Sequence, residues 1–216
     1  MSRLEPSRRS VQYAVRKPLV GWLRAQDVTG ARILDVGCGD RPYDSIFPGA
    51  VGFDMPGNPH ADLHGSIDTI PVEDASFDVV LCLQVLEHVP DPAAAVRELH
   101  RVVRPGGRVL LTTHGIYPFH PNPEDLWRWT HQGLERLFLT NGAWASVTVR
   151  AGAGTASTVA MQVAHVLDLA CKRAHVRVLG VPFVVGLNAA GEALDRLVPP
   201  LVPGTLHANF HVEAVR

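Results

Sequence analysis

Ile33-Leu34-Asp35-Val36-Gly37-Cys38-Gly39-Asp40 is the stretch on which the fold turns. A short apolar run of strand type, Arg32–Val36, passes without interruption into a Gly-x-Gly turn. A second run, Val51–Asp54 (VGFD), ends on an acid 19 positions after Asp35. Glycines at the carboxyl end of a first strand let a ligand approach the main chain, because no Cβ stands in the way. An acid closing the second strand can accept hydrogen bonds from both hydroxyls of a ribose.

Two further apolar runs, Asp78–Leu83 (DVVLCL) and Arg108–Thr113 (RVLLTT), have strand length. All four are continuous rather than alternating, as expected of parallel strands buried on both faces. Asp91–Val103 lies between the last two, with Ala95, Leu99, Val102 and Val103 on one helical face. Asp91 is its expected N-cap, Pro92 fits the first helical position, and Pro105-Gly106-Gly107 is read as its stop and a turn before the next strand. Strands alternating with helices predict an α/β fold, a Rossmann-like doubly wound sheet.

The ends of the chain read differently. Residues 1–30 form a basic arm; over residues 1–24 Arg3, Arg8, Arg9, Arg16, Lys17 and Arg24 oppose only Glu5, a local charge of +5, and Pro18 is expected to split the arm into two helices. Beyond a predicted helix at His131–Leu139 and strand at Trp144–Arg150, an amphipathic helix is expected over Thr155–Cys171, a second over Leu187–Val198, and a last strand over His207–Val215. The segment at about 155–200 thus reads as a helical insertion before the final strand, within a domain covering 31–216. Its apolar stretch Val178–Leu187, interrupted by Pro182, is too short for a bilayer span of about 20 residues. It is expected to be a lid or a homodimer face, with membrane contact assisted by the basic arm as the less favoured reading.

Composition narrows the function classes. The 216 residues are 46% apolar, enough for a buried core, which excludes a disordered chain. Twenty Lys and Arg against 21 Asp and Glu argue against a nucleic-acid binder. Cys38, Cys82 and Cys171 are widely separated and odd in number, unlike a disulfide framework or a cysteine-built zinc module. With no apolar core of signal-peptide length near the N-terminus, the expected location is the cytoplasm.

Two ligand classes use the glycine turn and spaced acid: dinucleotides and S-adenosyl-L-methionine. A dinucleotide fingerprint needs a small residue at the sixth position of G-x-G-x-x-G, so that a helix N-terminus can meet the pyrophosphate. Pro42, followed by Tyr43, stands there. S-adenosyl-L-methionine has no phosphate, and its amino-acid end wants an acceptor such as Asp35.

With ILDVGCGD, VGFDM, IPVEDASFDVVLCLQVLEHVPDP and ELHRVVRPGGRVLLTT in order, the chain resembles the class I S-adenosylmethionine-dependent methyltransferases, methyltransferase-11 type, over about residues 31–150 plus the last strand. The resemblance implies about seven strands with the last one antiparallel. It also implies cofactor contacts: Asp35, Gly37 and Gly39 at the methionine end, Asp54 on the ribose, Met55 on the adenine, Ser66-Ile67 at the adenine edge, and Gln84 at the methionine portion. Family members commonly carry Asp where Ser66 stands, and Asp68 is the nearby substitute. A branch whose loop after strand five reads roughly YPxHxxPxDxWRWT occurs with cell-surface polysaccharide and natural-product genes, which suggests a small-molecule or glycan acceptor.

That loop, His114–Thr130, carries the candidate substrate residues His114, Tyr117, His120, Asp125, Trp127 and Arg128. Its position after strand five is where open α/β folds hold ligands. Equally, Asp125 and Arg128 can be a structural pair and Trp127 and Trp129 core. His88 and His120 are the candidate catalytic bases, with His114 a third; Glu87 and His88 also suit structural work at a helix start. Without a HExxH or cysteine set, no metal is expected from His60, His64, His114 or His120. His207 and His211 are read as a half-exposed strand face. Two other classes stay open: a catalytically inactive methyltransferase-like module serving as a partner or scaffold, and a nicotinamide-dependent oxidoreductase, which Pro42 disfavours.

Overall fold

The structure is a computed structural model describing Leu4 and residues 6–216; Met1, Ser2, Arg3 and Glu5, two of them charges of the basic arm, lie outside the described residues. In chain order the elements are α1 (Tyr13–Arg24), β1 (Ile33–Val36), β2 (Val51–Asp54), β3 (Leu63–His64), β4 (Phe77–Leu83), a 3-10 turn (Leu86–His88), α2 (Pro92–Val102), β5 (Val103–His114), α3 (His131–Thr140), β6 (Ser146–Ala151), α4 (Thr155–Arg173), α5 (Arg177–Asp195) and β7 (Asn209–Val215). The strands form one seven-stranded sheet in the order β3-β2-β1-β4-β5-β7-β6. β1 pairs in parallel with β2 and β4, β2 with β3, and β4 with β5. β7 runs against β5: Gly106 N–H donates to the Arg216 carbonyl at 2.7 Å, and Gly115 N–H to that of Ala208 at 2.9 Å. It runs against β6 as well, with Ala145 N–H bonded to Val215 O and Gly152 N–H to Asn209 O.

The chain divides into two compact units. The larger comprises Ala25–His114, His120–Arg150 and His211–Arg216. Its core holds the continuous runs of β1 and β4, buried as parallel strands require. Since β1 lies between β2 and β4, the chain leaves it to one side and then crosses to the other. This reversal opens a crevice at the carboxyl ends of the strands. Asp91 caps α2 by accepting from Ala93 and Ala94 N–H, both at 3.0 Å, and Pro92 occupies the first turn. Pro105-Gly106-Gly107 departs from expectation: it belongs to β5 rather than to a turn before it. Its partner is the far C-terminus, where Arg216 N–H returns a bond to Gly107 O, and local turn signals cannot announce that pairing.

The smaller unit contains the chain up to Arg24, Gly115–Phe119 and Ala151–Phe210. Ala14, Val15, Ala153, Met161 and Ala208 are buried together, with Tyr117 packed against them. Asp195, at the end of α5, accepts from Ala156 N–H at 2.7 Å at the start of α4, so the two helices run antiparallel. A Cβ at Gly191 would come within 2.9 Å of the Ser157 Cα, so only glycine permits this close approach. Arg8 and Lys17 both pair with Glu192, and Asn188 Nδ2 donates to the Arg8 and Ser10 carbonyls, which fastens the arm to α5.

Three expectations are corrected. Pro18 lies inside one continuous α1, and Pro182 inside α5, which starts at Arg177 instead of Leu187 and ends at Asp195. Each proline deprives one carbonyl of its helical donor, and the tertiary contacts of the flanking turns outweigh that loss. His207 and His211 are buried, not half exposed: His211 lies on β7, between β5 and β6, whereas the last strand starts only at Asn209 and His207, just before it, meets the Ala153 carbonyl through Nδ1.

Candidate functional site

The glycine turn is built by backbone. Gly37 has φ +74°, and a Cβ there would stand 2.3 Å from Val85 Cγ2, so neither the angle nor the space admits another residue. The N–H groups of Gly37 and Cys38 both donate to the Phe53 carbonyl, at 2.8 and 3.2 Å, tying the turn to β2. Asp54 continues the stitching: Oδ2 accepts from Gly39 N–H at 2.9 Å and from Asn58 Nδ2 at 2.7 Å. Asn58 Nδ2 also donates to the Gly39 carbonyl at 2.8 Å. The sequence reading missed Asn58; its one local signal is a turn-forming Asn whose Oδ1 accepts from His60 N–H. Arg41 frames the turn from outside through Asp44 and Asp62.

Asp35 is buried at 5% exposure, and desolvation pushes its carboxyl up to about 7, partly opposed by Arg41. Such a carboxyl favours a cationic or hydrogen-donating neighbour. Gln84, in the left-handed region at φ 61°, donates its N–H to the Thr112 carbonyl and Nε2 to Thr112 Oγ1, both at 2.9 Å. Met55 is 55% exposed just past β2. Ser66 and Ile67 follow β3, where the Ser66 carbonyl accepts from Thr69 N–H, and Asp68 is exposed on the same turn. Asp35, Gly37, Gly39, Asp54, Met55 and Gln84 thus all lie at or just beyond the carboxyl ends of β1, β2 and β4.

A second cluster follows β4 and β5 in the same unit. Glu87 is fully buried, with Oε2 accepting from Thr113 Oγ1 at 2.8 Å and Oε1 lying 3.1 Å from His114 Nε2. Burial raises the Glu87 carboxyl to about 7. The same cause, aided by the nearby cationic groups, lowers His114 to about 2, so its ring is neutral. Glu87 is therefore neither a helix cap nor an arginine partner. Leu126 and Trp127 N–H donate to its carbonyl and Trp129 N–H to that of His114, which pins the following loop down. His120, 30% exposed at its side chain, stands edge-on to both other rings, 4.8 Å from His114 and 5.1 Å from His88. Asp125 accepts from His120 N–H at 3.0 Å and lies 3.6 Å from Nδ1. Arg128 grips Asp125 through both terminal nitrogens, at 2.5 and 2.6 Å, and holds its carboxyl far below the usual range. His88 Nδ1 is engaged by the Glu124 carbonyl, and Trp127 Nε1 donates to the Val89 carbonyl at 2.8 Å. Trp127 is exposed rather than core. Tyr117 belongs to the smaller unit, its ring 6.3 Å from that of His165.

Two sets of metal-capable atoms come together: Glu87 with His114 and His120, and His88 with His120 and Asp125. Within each set the atoms lie within 4.8 Å of one another. Thr113 and Arg128 compete for the two carboxylates.

Comparison with known proteins bears on what such a crevice is. Residues 34–111, from β1 to the middle of β5, match the methyltransferase domain family. The match covers about a third of the chain and agrees with a class I methyltransferase fold. The matched stretch carries every predicted cofactor residue and Glu87-His88, and leaves the histidine loop outside it. Ubiquinone biosynthesis O-methyltransferases are similar in sequence: that of Pseudomonas aeruginosa is 35% identical over 114 residues, 44% of this chain and 49% of the relative. That of Bordetella bronchiseptica is 34% identical over 122 residues, 47% and 51% of the two chains. The chain spans about half the length of these curated relatives. Among solved structures, the [4+2]-cyclase SpnF superposes with a TM-score of 0.58 at 19% identity, covering 98% of this chain and 85% of that one. A possible histamine N-methyltransferase from Thermotoga maritima gives 0.58 at 13% identity, covering 94% and 90%. At those identities the likeness concerns the fold.

Proposed function

We propose that the chain is an S-adenosyl-L-methionine-dependent methyltransferase acting on a small molecule with an ionisable hydroxyl or amine. The observation that carries the reading is the buried Asp35 carboxyl, held near neutrality beside a turn closed at Gly37. The residues fit the cofactor: an ammonium group satisfies Asp35, Asp54 keeps lone pairs for ribose hydroxyls beside its loop bonds, and exposed Met55 offers an apolar face to a base. Ser66, Ile67 and Gln84 would complete the contacts. When bound, the cofactor supplies an activated methyl on a sulfonium.

The protein's own task is then to hold an acceptor in line at near-attack distance, which can supply about 7–11 kcal/mol of the barrier. His120 is the group we assign to take the acceptor's proton. Its ring is accessible and oriented by Asp125, whereas His114 is buried against Glu87 and His88 is engaged through Nδ1. Arg128 positions Asp125, and Trp127 is a proposed acceptor contact. The ubiquinone biosynthesis O-methyltransferases among the relatives support an oxygen acceptor, on a small molecule instead of the glycan suggested by the loop pattern.

The test is transfer of labelled methyl from S-adenosyl-L-methionine to phenolic acceptors. His120→Ala is expected to lose about 100-fold or more in turnover with cofactor affinity unchanged. Full turnover in that variant removes His120 as the base. The paired donor sets favour a second reading, in which a divalent metal lowers the acceptor's pKa. Activity abolished by a chelator and restored by metal selects it, and chelator-resistant turnover selects His120 acting alone.

A further inference from the structure

The smaller unit carries a surface that the proposed methyl transfer does not use. α5 is the one helix among the described residues long and apolar enough to cross a bilayer by length and composition. Asn188 and Glu192 tie its inner face to the basic arm, so it is seated on protein and not free to span. Its outer face is bare. At the closed end of the α4–α5 hairpin Val166, Leu169, Val178, Leu179 and Phe183 are between 64% and 82% exposed. Five large apolar side chains this exposed near one end of a helical hairpin mark an interface.

Cations surround this tip. Lys172, Arg173 and Arg177 crowd the turn, balanced only by Asp168, which Lys172 and Arg177 share. An open cavity of about 420 Å³ lies beside it, lined by Arg9, Lys172, Arg177, Asp168, Val178 and Val184 among others. Three cations against one carboxylate leave the lining positive, next to apolar side chains that reach outward. A two-fold partner copy seated on this tip would bring like charges together, which disfavours a homodimer here. A surface with anionic headgroups above an apolar interior complements both features.

We propose that the α4–α5 tip is a peripheral docking site for an anionic phospholipid bilayer, with Phe183, Leu179 and Val178 entering the acyl boundary and Arg9, Lys172, Arg173 and Arg177 meeting phosphate headgroups. The chain then lies on the membrane without crossing it. Flotation of the full chain with vesicles of phosphatidylglycerol and phosphatidylcholine, against phosphatidylcholine alone, tests this.

Capture by the anionic vesicles, weakened by salt, is expected, with little capture by the neutral ones. Leu179→Ser/Phe183→Ser is expected to reduce partition by about tenfold or more, since both side chains are exposed and leave the fold intact. Arg9→Glu/Arg173→Glu is expected to abolish the preference for anionic vesicles. Methyl transfer to a water-soluble acceptor should be the same in both variants, which separates this proposal from the catalytic reading. Absence of capture, equal capture by neutral vesicles, or wild-type capture by either variant overturns it. So does a solution dimer that Phe183→Ser dissociates while vesicles are ignored, which would make the face an interface between copies.

Discussion

At the scale of single residues, the turn after β1 was legible because its chemistry is local. Gly37 needs both its positive φ and its missing Cβ, so its type follows from its place, and Asp35 closes the buried strand that leads into it. Gly37→Ala forces a Cβ onto Val85 and strains the backbone, at about 1–3 kcal/mol. Its expected outcome is a lower melting temperature and a loss of S-adenosylhomocysteine binding. Adding Val85→Ala should recover only the steric share, a split that melting curves of both variants check. Asp35 makes a pH prediction. Its carboxyl titrates near 3.8 in an unfolded chain and near 7 when folded, so the stability it contributes is complete below about 4 and is lost as pH rises through 7. Three pH units correspond to about 4 kcal/mol. Without cofactor, Asp35→Asn should melt roughly 8–16 °C above the parent at pH 8, with no gain at pH 4, while cofactor binding is lost. A melting curve lower at pH 8 would contradict the burial argument. The histidine cluster was not legible in the same way. Glu87 and His114 look like ordinary polar residues in sequence, and their coupling exists only because the turn after β4 meets the end of β5.

At the scale of elements, the parallel strands and α2 were legible from continuous apolar runs and from the Asp91-Pro92 start signal, all within a few residues of the chain. Elements whose stability comes from distant partners were not. β5 extends back through Pro105-Gly106-Gly107 because the C-terminal strand pairs with it. α5 runs through Pro182 because α4 and the arm hold it: Gly191 against Ser157, Glu192 against Arg8 and Lys17. The two-residue β3 is too short to leave a pattern. The α4–α5 pair offers an element-scale test. Asp195 caps the start of α4 from the end of α5, accepting from Ala156 and Ser157 N–H. Asp195→Ala should cost about 1 kcal/mol, or about 2–4 °C in melting temperature, with affinity for S-adenosylhomocysteine unchanged. An unaltered melting temperature would mean that the cap is not made in solution.

For the whole molecule, the strand order with β1 beside both β2 and β4 places the glycine turn, Asp54 and Gln84 around one crevice, and the loop after β5 carries its histidines at the same edge of the sheet. That arrangement separates holding a donor, proposed for residues at the ends of β1, β2 and β4, from selecting an acceptor, proposed for the loop after β5. The SpnF likeness shows why the separation matters, since a [4+2]-cyclase shares the fold. The account therefore stands or falls on the donor. Isothermal titration of the full chain with S-adenosylhomocysteine and, separately, with NAD decides it. The account predicts saturable, one-site binding of S-adenosylhomocysteine and none of NAD; NAD bound and S-adenosylhomocysteine ignored would contradict it.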